Sequence, residues 1–292
     1  MTALILRLGL SLTLQTAPTD NPVLQNLLDR GVETNGVSVS LPSPSLLDGQ
    51  DAPATRSMLR AVAGDDRSVE NLTKDSVSAP FVLKTRDTKA EGATIRGADL
   101  WFVVRGELDD IDLKPILGKA DGSNVEAGNM RFTSRVLSAK DLGGRKLDPL
   151  PSLPGRDEWY TVQAGRLLDR IAVESTDRVV ATRTKDSLTV AAITSRAFDA
   201  DPTYPNRWAS IQRSGATETR GSPRVYSGGG SYVKITRLSS DPGALFVEAH
   251  FAFVEPTLWF SGNPILRSKF SLICQDQVRQ LRREIQKRRS SK

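Results

Sequence analysis

The longest regular pattern of apolar residues lies at the C-terminal end of the chain. The apolar side chains recur there every three or four positions, at Leu266, Phe270, Ile273, Cys274, Val278, Leu281 and Ile285. This spacing places them along one side of a helix, and Asn263 and Pro264 are typical of residues that begin one. The sequence therefore predicts a helix over 264–289 that buries its apolar side and turns its charged residues toward solvent.

Between residues 81 and 254 the pattern becomes typical of β-structure. Runs rich in aromatic and β-branched residues alternate there with turn signals. The predicted strands are Phe81–Thr85, Asp99–Leu108, Met130–Leu137, Glu158–Leu168, Arg170–Glu174, Arg178–Thr184, Ser187–Thr194, Tyr232–Leu238 and Ala244–Val254. We predict an α+β fold in which a curved antiparallel sheet of about seven to nine strands packs against the long amphipathic C-terminal helix.

This order of elements resembles the helix-grip architecture, in which a long helix lies across a curved sheet and a ligand can occupy the space between them. The resemblance rests on the predicted elements alone. A helix-grip domain also places helices after its first strand, whereas residues 109–129 show no helical pair. What the resemblance implies is a ligand site between the sheet and the helix.

The N-terminal part of the chain has a different composition. Residues 18–80 contain no aromatic residue, so we predict an extended arm that buries little surface. Two short helices are expected within it, one from Asn21 to Gly31 and one over 54–63. The predicted organisation is this arm followed by a single β-rich domain over 81–292.

Residues 1–17 have two interpretations. An apolar run that ends at Ala17 is typical of a secretory signal peptide, whereas leucines at alternate positions are also typical of a strand. We favour the signal peptide and expect a protein exported to the periplasm or outside the cell, with a cytoplasmic location as the alternative. No apolar run of the sequence reaches the ~18 residues typical of a transmembrane helix.

Composition excludes several kinds of chemistry. Cys274 is the only cysteine and His250 the only histidine, which rules out an intrachain disulfide, a cysteine cluster and a histidine-rich metal site. We therefore predict neither a cofactor nor a bound metal. No catalytic motif is present in the sequence.

The net charge of +6 comes from the C-terminal helix, because residues 266–292 carry +7 and the rest of the chain sums to −1. Cations are favourable near the C-terminal end of a helix, which explains this charge without a partner. Few aromatic residues lie among the basic ones, so nucleic-acid binding is not expected. The basic helix could still contact an anionic surface.

The last two predicted strands form a hairpin whose register places Tyr232 opposite His250 and Lys234 opposite Glu248. These polar residues share one face. They form either a patch capable of acid–base chemistry or a solvated sheet surface with a cross-strand ion pair between Lys234 and Glu248. We favour the solvated surface.

The expected function is that of an exported, non-enzymatic protein that binds an apolar small molecule between the sheet and the C-terminal helix, or that serves in an envelope assembly. The candidate ligand contacts are Tyr232, Glu248, His250 and Trp259. The alternative is a hydrolase that uses Glu248, His250 or the carboxylates of residues 107–112.

Overall fold

The structure is a computed structural model that describes residues 21–111, 123–127, 130–147, 153–215, 217–260 and 265–290. The helices are α1 (Pro22–Asp29), α2 (Ala52–Ala63), α3 (Asp66–Leu72), α4 (Ala139–Leu142) and α5 (Ile265–Ser290). The strands are β1 (Val32–Thr34), β2 (Val37–Val39), β3 (Val82–Ala90), β4 (Ala93–Arg105), β5 (Ser123–Ala127), β6 (Met130–Val136), β7 (Arg156–Leu167), β8 (Ile171–Arg183), β9 (Ser187–Thr194), β10 (Arg207–Ser214), β11 (Thr217–Arg220), β12 (Arg224–Val225), β13 (Gly229–Arg237) and β14 (Ala244–Pro256).

A large antiparallel sheet forms the centre of the molecule. Its strands follow one another in the order β3–β4–β14–β13–β9–β8–β7–β6–β5, while β10 pairs with the start of β8 and carries β11 and β12. Strands β1 and β2 form a separate hairpin. The predicted α+β class, with a long C-terminal helix packed on an antiparallel sheet, is confirmed.

Two local predictions within the sheet are wrong. The predicted break at Ser175–Asp177 does not exist, because β8 runs through it without interruption. The polar residues there bond to their neighbours instead of forming a turn: the amide of Thr176 donates to the side chain of Asn206 at 2.8 Å. No strand was predicted in residues 199–230, and the structure has β10, β11 and β12 there.

The segment from residue 21 to residue 80 covers one side of the sheet. The predicted α1 and α2 are both present, and the Asn21 side chain caps α1 by accepting a hydrogen bond from the amide of Leu24. Helix α3 was not predicted. Although the segment lacks aromatic residues, it packs aliphatic side chains that are at most 1% exposed, namely Leu24, Leu27, Leu46 and Leu72. The predicted signal peptide at 1–17 lies outside the described residues.

Helix α5 covers the other side of the sheet. The predicted apolar side is buried, with Leu266, Phe270, Cys274, Val278 and Ile285 all in contact with strand residues. The predicted cap at Asn263 and Pro264 lies outside the described residues. None of the described helices is long and apolar enough to cross a membrane.

One charge on α5 contradicts the prediction that its charged residues face solvent. Arg282 is only 6% exposed and donates hydrogen bonds to the backbone carbonyls of Val103, Ala79 and Pro80. Burial lowers the pKa of Arg282 to about 10. The guanidinium thus links the helix to the sheet and to the end of the N-terminal segment.

Candidate functional site

The two sides of the sheet carry different chemistry. Side chains alternate along a strand, so even-numbered residues of β13 and β14 point toward the N-terminal segment and odd-numbered residues point toward α5. We call the first side the arm face and the second the helix face. The predicted hairpin register is confirmed, with Tyr232 opposite His250 and Lys234 opposite Glu248.

The arm face is buried, so the prediction of a solvated surface is wrong. Glu248 is 0% exposed and accepts a hydrogen bond from the amide of Ser45 at 2.7 Å. The ammonium of Lys234 donates to the carbonyl of Leu46 at 2.8 Å and lies 3.0 Å from a carboxylate oxygen of Asp48. Both charged side chains therefore hold the loop 45–48 against the sheet.

His250 lies beside these groups and is 1% exposed. Its Nδ1 donates to Asp99 at 2.8 Å, and the guanidinium of Arg86 binds the other oxygen of Asp99. The Nε2 atom lies 3.7 Å from an oxygen of Glu248. The Tyr232 ring stacks on the imidazole with 4.7 Å between ring centroids. These contacts enclose the imidazole on several sides.

The charges of this cluster support one another. Burial alone would lower the pKa of His250, but the bond to Asp99 and the proximity of Glu248 outweigh it and raise that pKa above the ordinary value. Burial also opposes ionisation of Asp99, yet His250 and Arg86 hold its pKa below the ordinary value. With His250 protonated, the cluster contains three cations and three anions: Arg86, Lys234 and His250 against Asp48, Asp99 and Glu248.

Glu107 and Asp109, from the acidic residues at 107–112, do not join His250. The carboxylate of Glu107 is 55% exposed and pairs with Arg237 at 2.6 Å, while that of Asp109 lies 3.4 Å from Arg183. Asp112 lies outside the described residues. Glu248 therefore lies beside His250 in the buried cluster of the arm face, whereas Glu107 and Asp109 pair with arginines elsewhere.

A cavity of about 480 Å³ opens on the helix face, between the sheet and the first half of α5. Most of its lining is apolar, including Phe132, Phe251, Phe253, Phe270 and Ile273. Its polar residues include Gln163, Asp177, Thr194 and Tyr226. We call this space the helix-face cavity.

Asp177 forms the polar end of the cavity with two neutral donors. The hydroxyl of Thr194 donates to one carboxylate oxygen at 2.9 Å, and the side-chain amide of Gln163 donates to the other at 2.9 Å. The Thr194 hydroxyl is itself fixed by the amide of Gly229 at 3.0 Å. Burial raises the pKa of Asp177 to about 6, so the group is largely ionised at neutral pH.

Aromatic rings line the cavity near this carboxylate. Trp259 is 5% exposed and stacks on Tyr226, with 5.7 Å between centroids and 27° between planes. Tyr226 lines the same cavity as Asp177, and burial together with the charge of Asp177 raises the pKa of its phenol. The indole Nε1 of Trp259 is buried and has no hydrogen-bond partner among the described residues.

Of the four predicted ligand contacts, only Trp259 lines the helix-face cavity, while Tyr232, Glu248 and His250 lie on the arm face. Sequence reasoning missed Asp177, because it lies in the gap between the predicted strands Arg170–Glu174 and Arg178–Thr184. If a continuous strand had been predicted there, the alternation of side chains would have placed Asp177 on the same buried face as Val173 and Val179.

No family model matches this sequence, and no curated protein matches it significantly. The geometry of the two faces is therefore the basis on which a function can be inferred.

Proposed function

We propose that this protein binds an apolar small molecule in the helix-face cavity and catalyses no reaction on it. The observation that carries the proposal is the cavity itself: it measures about 480 Å³ and is lined mainly by aromatic and aliphatic side chains. Small-molecule sites typically measure ~300–1,000 Å³ and combine an apolar lining with a few placed polar groups. Asp177, Gln163 and Tyr226 are such groups.

Two further features favour a ligand over imperfect packing. The cavity opens to solvent and yet has a mainly apolar lining, and contiguous apolar surface of this kind is typical of ligand-binding grooves. Moreover, a buried donor such as Trp259 Nε1 normally has a hydrogen-bond partner, and this one has none among the described residues. A bound molecule would fill the space and could accept this hydrogen bond.

The lining residues favour binding over catalysis. Cys274 is the cysteine that lines the cavity, and burial raises the pKa of its thiol to about 11, so the nucleophilic thiolate is scarce at neutral pH. The only histidine lies on the arm face, where Asp99 and Tyr232 enclose it. The Thr194 hydroxyl that donates to Asp177 also accepts a hydrogen bond from the amide of Gly229, so it is held in place as part of the cavity wall.

The uncharged fluorescent dye N-phenyl-1-naphthylamine tests this proposal. We expect its emission to rise when it enters the cavity of the purified protein. Ile273→Trp should abolish the rise, because Ile273 lines the cavity and the larger ring would fill it. Leu272→Trp is the matched control, since Leu272 is 57% exposed on the same helix. Equal dye binding by the two variants would contradict the proposal.

Export is a separate part of the proposal. We expect the mature protein to begin near Pro18–Asn21, because the leader-like run ends there. The buried side chain of Asn21 donates to the carbonyl of Val180 at 2.9 Å, and a mature chain that begins near Pro18–Asn21 retains this contact. N-terminal sequencing from the native host tests this; a chain that retains Met1 or Thr2 would contradict it.

A further inference from the structure

We propose that the ligand of the helix-face cavity carries a positively charged amine, and that Asp177 binds this amine. The inference rests on the proposed function and names the chemical class of the molecule. It follows from the partners that Asp177 has, from the rings around it, and from the charges that line the cavity.

Asp177 lacks a cationic partner among the residues that the structure describes. Its two hydrogen bonds come from the neutral side chains of Thr194 and Gln163, and no Lys or Arg of the described residues forms an ion pair with it. An ionised carboxylate can accept about four hydrogen bonds, so acceptor positions remain for a ligand. The neighbouring Arg178 is engaged by Glu158 at 2.6 Å.

The arm face offers a comparison, because a buried carboxylate there is bound by cationic side chains of the protein. Asp99 there contacts both the guanidinium of Arg86 and the imidazole of His250. A buried charge is costly unless a charge of opposite sign compensates it. The compensating charge for Asp177 would come from the ligand.

The rings of the cavity suit a cation for a second reason. Aromatic faces attract ammonium groups, and aromatic cages are a known means of binding alkylated amines. Tyr226 and Trp259 stack on each other and line the same cavity as Asp177, while Phe251, Phe253 and Phe270 line the apolar remainder. The Trp259 Nε1–H, which has no partner among the described residues, offers a donor for an oxygen or nitrogen elsewhere in the same molecule.

An anionic ligand fits poorly, because no described Lys or Arg lines the cavity. The titratable residues that line it are Asp177, Tyr226 and Cys274. Burial raises the pKa of both the Tyr226 phenol and the Cys274 thiol, so neither titrates near neutral pH. Between mildly acidic and neutral pH, binding therefore responds to Asp177.

Three probes with the same ten-carbon chain test the proposal: decylamine, decanol and decanoate, each displacing N-phenyl-1-naphthylamine from the purified full chain. At about pH 7.5 the first is a cation, the second neutral and the third an anion. We expect decylamine to bind at least about tenfold more tightly than decanol, and decanoate to bind most weakly. At about pH 5 the advantage of decylamine should shrink, because Asp177 is then mostly protonated.

The variant Asp177→Asn supplies the second arm of the test. It should keep dye binding and decanol binding but lose the preference for decylamine, while Asp157→Asn, which changes an exposed carboxylate of β7, should keep that preference. The pH comparison in the parent protein needs no variant, so the test stands even if Asp177→Asn folds poorly.

The results separate the two proposals. If the dye binds and decanol equals decylamine in the parent, or if the preference for decylamine survives in Asp177→Asn, the amine assignment is overturned while the cavity remains a binding site. If the dye and all three probes fail to bind the parent, the proposed function is overturned and the amine assignment with it.

Discussion

The arm face and the helix face of the same sheet bury charged groups in opposite ways. On the arm face, Asp99 lies between Arg86 and His250, and Lys234 reaches Asp48. On the helix face, Asp177 has only two neutral donors. The first arrangement compensates each charge within the protein, whereas the second leaves one carboxylate without a cation among the described residues.

This difference teaches how buried polar residues can be interpreted from the partners that they have. A compensated cluster fixes the positions of the elements that contribute to it, here the loop 45–48 against β13 and β14. An uncompensated carboxylate at the wall of an apolar cavity instead indicates a ligand. His250 is the only histidine of the sequence and lies on the arm face, whereas the cavity lies on the helix face.

Loss of Glu248 should have the largest effect on the arm face. Glu248→Ala leaves the amide of Ser45 without its acceptor and removes an anion beside His250. Breaking a buried charge network from one side typically costs ~3–5 kcal/mol. We expect a loss of that size in urea unfolding, against under ~0.5 kcal/mol for Glu70→Ala, which changes an exposed residue of α3. Equal stability of the two variants would show that the cluster does not hold the loop.

The helix face should respond to loss of packing. Phe270 is buried against Phe251 and Phe253, and truncating such a ring typically costs ~3–5 kcal/mol. We expect Phe270→Ala to lower the thermal midpoint by several degrees, whereas Lys269→Ala, at an exposed position, should leave it almost unchanged. A Phe270→Ala protein that melts like the parent would mean that α5 is not docked on the sheet.

His250 should contribute more than a solvated residue would. If His250 were solvated, His250→Ala would reduce the free energy of unfolding by under ~0.5 kcal/mol. Because the imidazole is buried and hydrogen-bonded, we expect a reduction of at least ~2 kcal/mol. Because folding raises the pKa of His250, this stabilisation is present below the ordinary pKa of 6.5 and decreases as pH rises through the folded value. Thermal midpoints of parent and variant should therefore converge toward alkaline pH; a constant difference would contradict the protonated cluster.

Replacing a buried aspartate by asparagine should change the thermal midpoint in opposite directions on the two faces. Partners lower the pKa of Asp99, so its charge stabilises the fold above the ordinary value and loses that effect as pH falls through the folded value. Burial raises the pKa of Asp177 to about 6, so its ionisation opposes folding and stability falls as pH rises toward that value. Without ligand near pH 8, Asp99→Asn should lower the thermal midpoint and Asp177→Asn should raise it. Changes in the same direction would contradict the difference between a compensated and an uncompensated carboxylate.

The smallest effect concerns the basic end of α5. Arg289 pairs with Asp75 at 3.3 Å, and both side chains are largely exposed. Exposed ion pairs contribute ~0–1 kcal/mol, so Arg289→Ala should change the midpoint very little. Arg282→Met should cost clearly more, because Arg282 is buried and its backbone acceptors would lose their donor. Equal effects of the two changes would contradict the difference between the buried and the exposed basic residue.

Features that depend on local patterns were predictable from the sequence. The three- and four-residue spacing from Leu266 to Ile285 is sufficient to indicate the long helix, because a helix with one apolar side has that period. Likewise, the alternation in the last hairpin predicted that Tyr232 lies opposite His250, which the strand pairing confirms. The α+β class follows from these local periods and from the order of the elements.

Only the tertiary structure decided which element covers each face. The same polar alternation that suggests a solvated surface around Glu248 also suits a buried one, and the N-terminal loop that supplies the partners lies some two hundred positions earlier in the chain. Asp177, Tyr226 and Trp259 are brought together by strand order and by the position of α5. Periodicity acts between neighbours in sequence, whereas charge compensation and cavities depend on residues that are distant in sequence and adjacent in space.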